Sequence, residues 1–491
     1  METKSLTGNP LCLKPPSPAS NADFFQAIRS SCAAGGYPLC YFGTPGGKLL
    51  CVLKLPGSEL AVTQTDFPAD LSYPSLAKDI PAFHMFEREL WEEYGIHPIG
   101  HPWLKPLRFP GMEGLDHRDY PFFRSTSKEL HEVAVGPVHA GVIEPGHFRF
   151  ICHGERVEHL EIQLGYQHRG VEKLFREGDL RHKSCLAEAI AGDTAVGHAL
   201  AYCLLVEALA GVRLSPEVHT VRMIALELER IGMHLADLSA LCGDIAYLSG
   251  LNMFAALRTT VINSSLAICG SRYGKRWLAP GGINYGISKL QNKVLRQTLE
   301  AVSQQIDRVA RATFADPGVL NRFDSTGTLS RQAVQELNMS GITAKAAGLA
   351  RDARLDFPIF GDVISYPEPF APLVQESGDV YARAWLRYQE ALQSIAIIQY
   401  LLSTLPELKL QRIELPEPPQ GALAIAVTEG WRGRIVHAAR ISSGWNTEFY
   451  KIYDPSLHNW FGLALAVRGE GISDFPLCNK SFDLSYCGND L

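Results

Sequence analysis

The sequence predicts an α+β protein: a small N-terminal α+β domain over residues 1–125, then a large domain over 126–491 in which a central bundle of long helices is flanked by N- and C-terminal β elements. Three observations carry this reading. Residues 24–66 alternate short β-rich runs (LLCVLKL, ELAVTQT) with Gly/Pro/Ser turns. Residues 184–310 are alanine- and leucine-rich at helical period, and the strand-like runs LAIAV and GRIVHAARI follow Gly421. A length of 491 residues, at about 100–200 per domain, calls for two to four domains.

Taken in order, FHMFERELWEEYG sets Phe83, Phe86, Leu90, Trp91 and Tyr94 at helical spacing, with Gly95 as its stop. The Pro/Gly-rich tract from Ile96 to Arg124 reads as an extended linker. HFRFICHGE and HLEIQLG form a hairpin that opens the large domain. In PEVHTVRMIALELERIGMHLADLSALCGD, residues Val221, Ile224, Leu228, Ile231 and Leu235 make a continuous apolar stripe that needs a partner helix. RQAVQELNM is a shorter helix, and VYARAWLRYQEALQSIAIIQYLLSTL the last long one.

Composition removes several function classes. A net charge of −6 gives no electrostatic footprint for nucleic acid. The most apolar run, HALAYCLLVEALAGV, is short and carries His198 and Glu207, so no membrane span is expected; the N-terminal residues lack the apolar core of a secretory signal. Eleven cysteines without one C-x-x-C argue for a reducing compartment and against a self-contained zinc or iron–sulfur site. No G-x-x-x-x-G-K-[ST], G-x-G-x-x-G, H-E-x-x-H or G-x-S-x-G occurs.

Histidine, by contrast, is concentrated: 14 of 16 lie between His84 and His234. Three local groupings stand out. Glu227, Arg230 and His234 share one helix face, with Arg222 nearby, as an internal ion pair beside a core histidine or as a functional set. GPVHAGVIEPGH holds His139, Glu144 and His147 in a stiff turn suited to proton carriers or to plain solvated residues. GYQHRGVEKL gathers Tyr166, His168, Arg169, Glu172 and Lys173, which would have to pair extensively if buried.

At this point the motifs resemble a known family. FERELWEEYGIHPIGHPWLKPLRF with HRDYPF is similar to the end of the C subunit of bacterial respiratory complex I. GPVHAGVIEPGHFRF, GYQHRGVEKL, VRMIALELERIGMHL, DVYARAWLRYQEALQSI and KIYDPSLHNW resemble its D subunit and, more closely, the large subunits of membrane-bound energy-converting nickel–iron hydrogenases of the hydrogenase-4 and formate hydrogenlyase type. In such hydrogenases four cysteines hold the metal centre. Anchored on His198, the resemblance puts the first pair at Ala191 and Thr194 and the second at Ser485 and Gly488, with Cys487 one residue out of register. The tyrosine that complex I uses for a quinone head group falls on Gly192.

The resemblance therefore implies a subunit with no metal ligands and no cofactor of its own, around a cavity near Ala191, Gly192, Thr194, His198, Ser485 and Gly488. Asp244 matches the carboxylate that pairs with the loop histidine, here His139, and Glu144 matches a glutamate implicated in proton movement. With His168, Arg222 and His234 these are expected to form a polar chain leading inward as the catalytic set. Implied partners are a complex I B-like small subunit that holds an iron–sulfur cluster and ion-pumping membrane subunits, with no nucleic acid. The implied place is peripheral, on the cytoplasmic face of the inner (plasma) membrane, and the implied activity is that of an oxidoreductase component coupling electron transfer to proton or ion translocation. A quinone is an admissible cavity ligand, as in the quinone-reducing subunits of NADH dehydrogenases, and a non-catalytic scaffold is the alternative.

Overall fold

The computed structural model describes residues 3–4, 10–57, 59–109, 117–359, 366, 370–405 and 412–491. Its mixed helices and sheets bear out the α+β class. The first departure from the sequence reading is helix α1 (Asn21–Ala33), which occupies the start of the tract read as β-rich. Ser20 caps it, its Oγ accepting from Asp23 N at 3.2 Å, and Phe24, Phe25 and Ile28 are buried. The sheet behind it is an antiparallel meander of β2 (Tyr37–Thr44), β3 (Lys48–Lys54) and β4 (Leu60–Asp66), joined at its edge by Thr3–Lys4. Helix α2 (His84–Tyr94) stops at Gly95, whose φ of 67° is the left-handed cap glycine tolerates best.

The tract after α2 is not a loose linker. Ile96, Leu107 and Arg108 are buried, and two α2 side chains take up the chain's backbone groups. Glu92 accepts from Leu107 N at 2.8 Å and Arg108 N at 2.9 Å, while Arg88 donates to the carbonyls of Lys105 and Pro106, both at 2.7 Å. Composition alone did not reveal this, because the partners of the Pro-rich backbone are charged residues on the preceding helix. Residues 110–116 of that tract lie outside the described residues.

The hairpin expected at the start of the large domain is β6 (His147–His153) with β7 (Arg156–Gln163), extended by β5 (His131–Val135) on the other side of β6. Short helical segments, α3 (Val171–Arg176) and then Leu180–His182 and Ser184–Ala187, lead to the bundle. Helix α4 (Ala195–Ala210) is apolar on all sides and almost wholly buried, as a central helix must be. Helix α5 (Pro216–Asp244) begins with Ser215, Pro216 and Glu217, the residues that suit a helix start, and packs on α6 (Leu248–Cys269) and α8 (Val380–Thr404). Helix α7 (Lys289–Ala315) completes the bundle and opens on a capping box of Ser288 and Gln291.

The C-terminal sheet joins the two halves of the chain. Strands β8 (Leu423–Gly430), β9 (Gly433–Ser443) and β10 (Asn446–Tyr453) form a meander, and β1 (Leu11–Leu13) pairs with β8 as the fourth strand. Alternation along β8 sends Ala424 and Ala426 into the bundle core and Leu423, Ile425 and Val427 into a second core shared with α1, α2 and the N-terminal sheet. In that second core Phe42 meets Phe449 at 5.1 Å and Phe86 meets Tyr453 at 4.9 Å between ring centroids. Helices α9 (Ser456–Ala466), α10 (Phe475–Phe482) and α11 (Tyr486–Asp490) then return the chain to the bundle's N-terminal end.

Candidate functional site

The loop before α4 (Ala191 to Thr194), the tip of the β8–β9 hairpin and the turn into α11 converge around Arg432. Arg432, at the hairpin tip, is the central charge there. Its guanidinium forks onto Asp193, both N–O distances 2.6 Å, reaches Thr194 Oγ1 at 3.1 Å, and donates through Nε to the carbonyl of Asp483. The Trp431 ring lies 3.9 Å from the guanidinium, and Trp431 Nε1 donates to the Asp193 carbonyl at 3.0 Å. The tip is held from behind by Gly341 at φ 66°, where any Cβ would run into the Arg432 carbonyl.

Below Arg432 sits a second acid, Asp454. His198, fully buried on α4, brings Nε2 to Asp454 Oδ2 at 3.1 Å and Nδ1 to His437 Nε2 at 3.1 Å. Burial opposes ionisation of Asp454, but the His198 hydrogen bond and the Arg432 charge overcome it and hold the carboxyl below its ordinary range. Asp237 and Asp483 share a hydrogen bond beside Arg387, whose Nε meets Asp237 Oδ2 at 2.5 Å. Burial pushes Asp237 well up while Asp483 is held low by that hydrogen bond and by Arg432, so the pair keeps one proton.

The six residues expected to form one inward chain fall into separate places. Glu144 and His139 do reach the start of α11: Glu144 Oε2 accepts from Cys487 N at 3.1 Å, and His139 Nε2 lies 3.4 Å from the Tyr486 hydroxyl. His168 is instead exposed, bonded through Nδ1 to the Asp490 carbonyl at 2.8 Å, and faces an interdomain cleft of about 370 Å³. Arg222 forks onto Glu207 at 2.9 and 2.6 Å and donates to the carbonyls of Ala279 and Gly282, which consumes it in holding a β-turn to α4. Asp244 is exposed at the end of α5, and among the described residues it is not bonded to His139. Helix α5 therefore spreads Arg222, His234 and Asp244 along its length, which is why they cannot meet.

His234 belongs to a buried ionic network, with Nε2 at 3.0 Å from Glu390. Arg230 pairs with Glu227 at 3.0 Å as helical spacing predicts, Arg354 joins Glu227 and Asp352, and Lys345 joins Asp352 at 2.7 Å, Glu390 at 2.9 Å and Glu429 at 3.6 Å. Three permanent cations thus face four carboxylates. Burial lifts Glu429 to about 7, and a proton there balances the network. Arg230 also donates to the carbonyls of Glu429 at 2.7 Å and Gly430 at 3.1 Å, so the network anchors the end of β8, two residues before Arg432.

The motif Tyr166–Lys173 clasps the last residues of the chain. Arg169 donates to the carbonyls of Ala189, Ile190 and Cys487, and Glu172 receives Lys451 Nζ at 2.8 Å. Sequence reasoning missed Arg432, Asp193, Asp454, Lys345, Glu390 and Tyr486. Arg432 had one signal, an arginine set between two glycines at a strand-to-strand turn; the others have partners too distant in sequence to leave a local pattern.

Comparison with known proteins matches residues 244–414 to the family described as respiratory-chain NADH dehydrogenase, 49 Kd subunit, and residues 49–122 to that described as respiratory-chain NADH dehydrogenase, 30 Kd subunit. One chain thus carries segments similar to the 30 kDa and the 49 kDa subunits of complex I. Hydrogenase-4 component G of Escherichia coli (strain K12) is 28% identical over 442 residues, covering 85% of this chain and 76% of that protein. The fused C/D subunit of NADH-quinone oxidoreductase from Phocaeicola vulgatus is 27% identical over 384 residues, covering 71% and 73%. A chain from the structure of the membrane-bound sulfane sulfur reductase, an archaeal respiratory membrane complex, shares the fold with a TM-score of 0.68 at 22% identity over 75% of this chain and all of that one.

The residues present do not fit the nickel–iron centre that the resemblance to hydrogenases implies. Ala191 and Thr194 offer no thiolate, and Ser485 Oγ is taken by the Gly488 N–H at 2.9 Å as the cap of α11. Gly488 has no room for a cysteine, since a Cβ there would lie 2.8 Å from Asp454 Cγ. Cys487 is a poor substitute, its thiol pushed up to about 11 by burial. Gly192 differs: it is exposed, and a side chain added there would meet nothing within 4 Å.

Proposed function

We propose that this chain is the peripheral oxidoreductase subunit of a membrane-bound complex I or hydrogenase-4-like respiratory complex, coupling electron transfer from an iron–sulfur small subunit to proton or ion translocation without a nickel–iron centre of its own. The observation that carries this is the exchange at the cavity: where hydrogenase relatives place four thiolates, this chain places Asp454 against Gly488 under a guanidinium paired to Asp193. Such a site suits an acceptor that changes charge, because a fixed cation and ionisable acids lie side by side. Among the described residues no helix is long and apolar enough to cross a membrane, so on this reading membrane attachment comes through partner subunits, on the cytoplasmic face. The open space at Gly192 admits a quinone as the acceptor.

Purification of the chain with its partners from native membranes, followed by metal analysis, tests the reading. Iron and acid-labile sulfide from a co-purifying small subunit, with antiporter-like membrane subunits and no stoichiometric nickel, is the expected result. Stoichiometric nickel on this chain, or a chain recovered without partners, overturns it.

A further inference from the structure

The contacts of His198 continue away from Asp454. His437 Nδ1 lies 2.7 Å from the Tyr450 hydroxyl, so Asp454, His198, His437 and Tyr450 are joined end to end by contacts of 3.1, 3.1 and 2.7 Å. All four side chains are buried, with exposures of 2, 0, 0 and 1%. Tyr450 sits on β10 at the wall of the interdomain cleft, beside Glu172 and Lys451.

The donor roles along this row follow from its two ends. An ionised Asp454 can only accept, so His198 Nε2 carries the proton between them. His198 Nδ1 is then a lone pair and accepts from His437 Nε2–H, which leaves His437 Nδ1 to accept the Tyr450 O–H. With one ring proton on each histidine, every hydrogen bond points the same way, from Tyr450 to Asp454. Burial, then the neighbouring His198, holds His437 well below the ordinary histidine range, which keeps it in that neutral form. A neutral imidazole with one N–H and one lone pair passes a proton by changing tautomer.

We propose that Tyr450, His437, His198 and Asp454 form a proton line between the cleft that Tyr450 lines and the Asp454 carboxyl near Arg432. In one passage a hydronium ion in the cleft protonates the Tyr450 oxygen, leaving water, as Tyr450 gives its own proton to His437 Nδ1. The Nε2 proton of His437 moves to His198 Nδ1, and that of His198 moves to Asp454 Oδ2. Four N–H or O–H bonds break and four form, no electron changes partner, and one proton has crossed. Asp454 ends as the neutral acid beside Gly488 and the Arg432 pair. The use made of that proton, to neutralise charge on an acceptor reduced near Arg432, rests on the proposed oxidoreductase function; the line itself does not.

Two measurements separate these claims. In the full chain labelled with ¹⁵N-histidine and moved to D₂O, the His198 ring N–H should exchange despite its burial. Tyr450→Phe, which removes only the hydroxyl, should slow that exchange by about a hundredfold, the lower end of what a positioned proton carrier contributes. His437→Gln, which can hydrogen-bond on both sides but cannot pass a proton, should do the same. Exchange at the wild-type rate in either variant overturns the line, because protons then reach His198 from elsewhere. Electron transfer through the assembled complex, from reduced methyl viologen to decylubiquinone, is the second measurement. Slowed exchange with a comparable loss of electron transfer supports both claims. Slowed exchange with electron transfer unchanged keeps the line and overturns its role in acceptor reduction.

Discussion

Arg432 pairs with Asp193 and its charge helps hold the buried Asp454 ionised, so its removal leaves both acids without that cation. Arg432→Ala should cost on the order of 2 kcal/mol in urea unfolding, below the usual figure for a broken buried pair because Asp193 retains 38% exposure. Glu429 gives a pH signature. Its carboxyl titrates near 7 when folded against 4.5 for the ordinary group, so the folded state holds the proton more tightly. That contribution is complete below about pH 4.5 and is lost as pH rises through about 7, on the order of 3 kcal/mol in all. Unfolding titrations at pH 5 and pH 8 should show wild-type stability falling with pH through this group and Glu429→Gln falling by less. At this scale the sequence was half legible. Glu227, Arg230 and His234 were found because helical period alone puts them on one face, and the Arg230–Glu227 pair is present. Glu390, Lys345 and Asp352 share the same network, but nothing near them in the chain says so.

Among the elements, the hairpin tip at Gly430 to Gly433 is the most demanding, since it must pass Gly341 closely while aiming Arg432 at Asp193. Gly341→Ala combines a left-handed backbone with a collision on that tip, and should cost about 3 kcal/mol or more in thermal or urea unfolding. Gly95→Ala is the control. Its φ is also left-handed at 67°, but a Cβ there meets nothing within 4 Å, so the loss should be near 1 kcal/mol. Equal losses at the two positions would mean that the close approach at Gly341 carries no strain. The long helices α5, α7 and α8 and the strands after Gly421 were legible because each has a strong period and a clear start or stop. Helix α1 was not, because its apolar residues Phe24, Phe25 and Ile28 are few and the strand-like runs that follow dominate the window.

Across the whole molecule the two halves are one folding problem. The sheet of β8, β9 and β10 presents Leu423, Ile425, Val427 and Phe449 to the N-terminal domain, and each such side chain is worth roughly 1.5–3 kcal/mol when buried. A chain beginning at residue 126 should therefore be recovered aggregated, or bind a hydrophobic dye strongly, whereas co-expression with residues 1–125 should restore a soluble pair. A soluble, dye-free 126–491 fragment would show that the shared core is dispensable. The pairing of β1 with β8 also has a consequence during synthesis. Leu13 waits for Leu423, about 410 residues later, before its ladder can close. At roughly 5–20 residues per second that is about 20–80 s on the ribosome, during which α1 and the N-terminal meander can form while the β1 edge remains without its partner. The edge strand of the C-terminal sheet is thus made long before the three strands it joins, and translation speed through the helical bundle sets how long that edge is available to other chains.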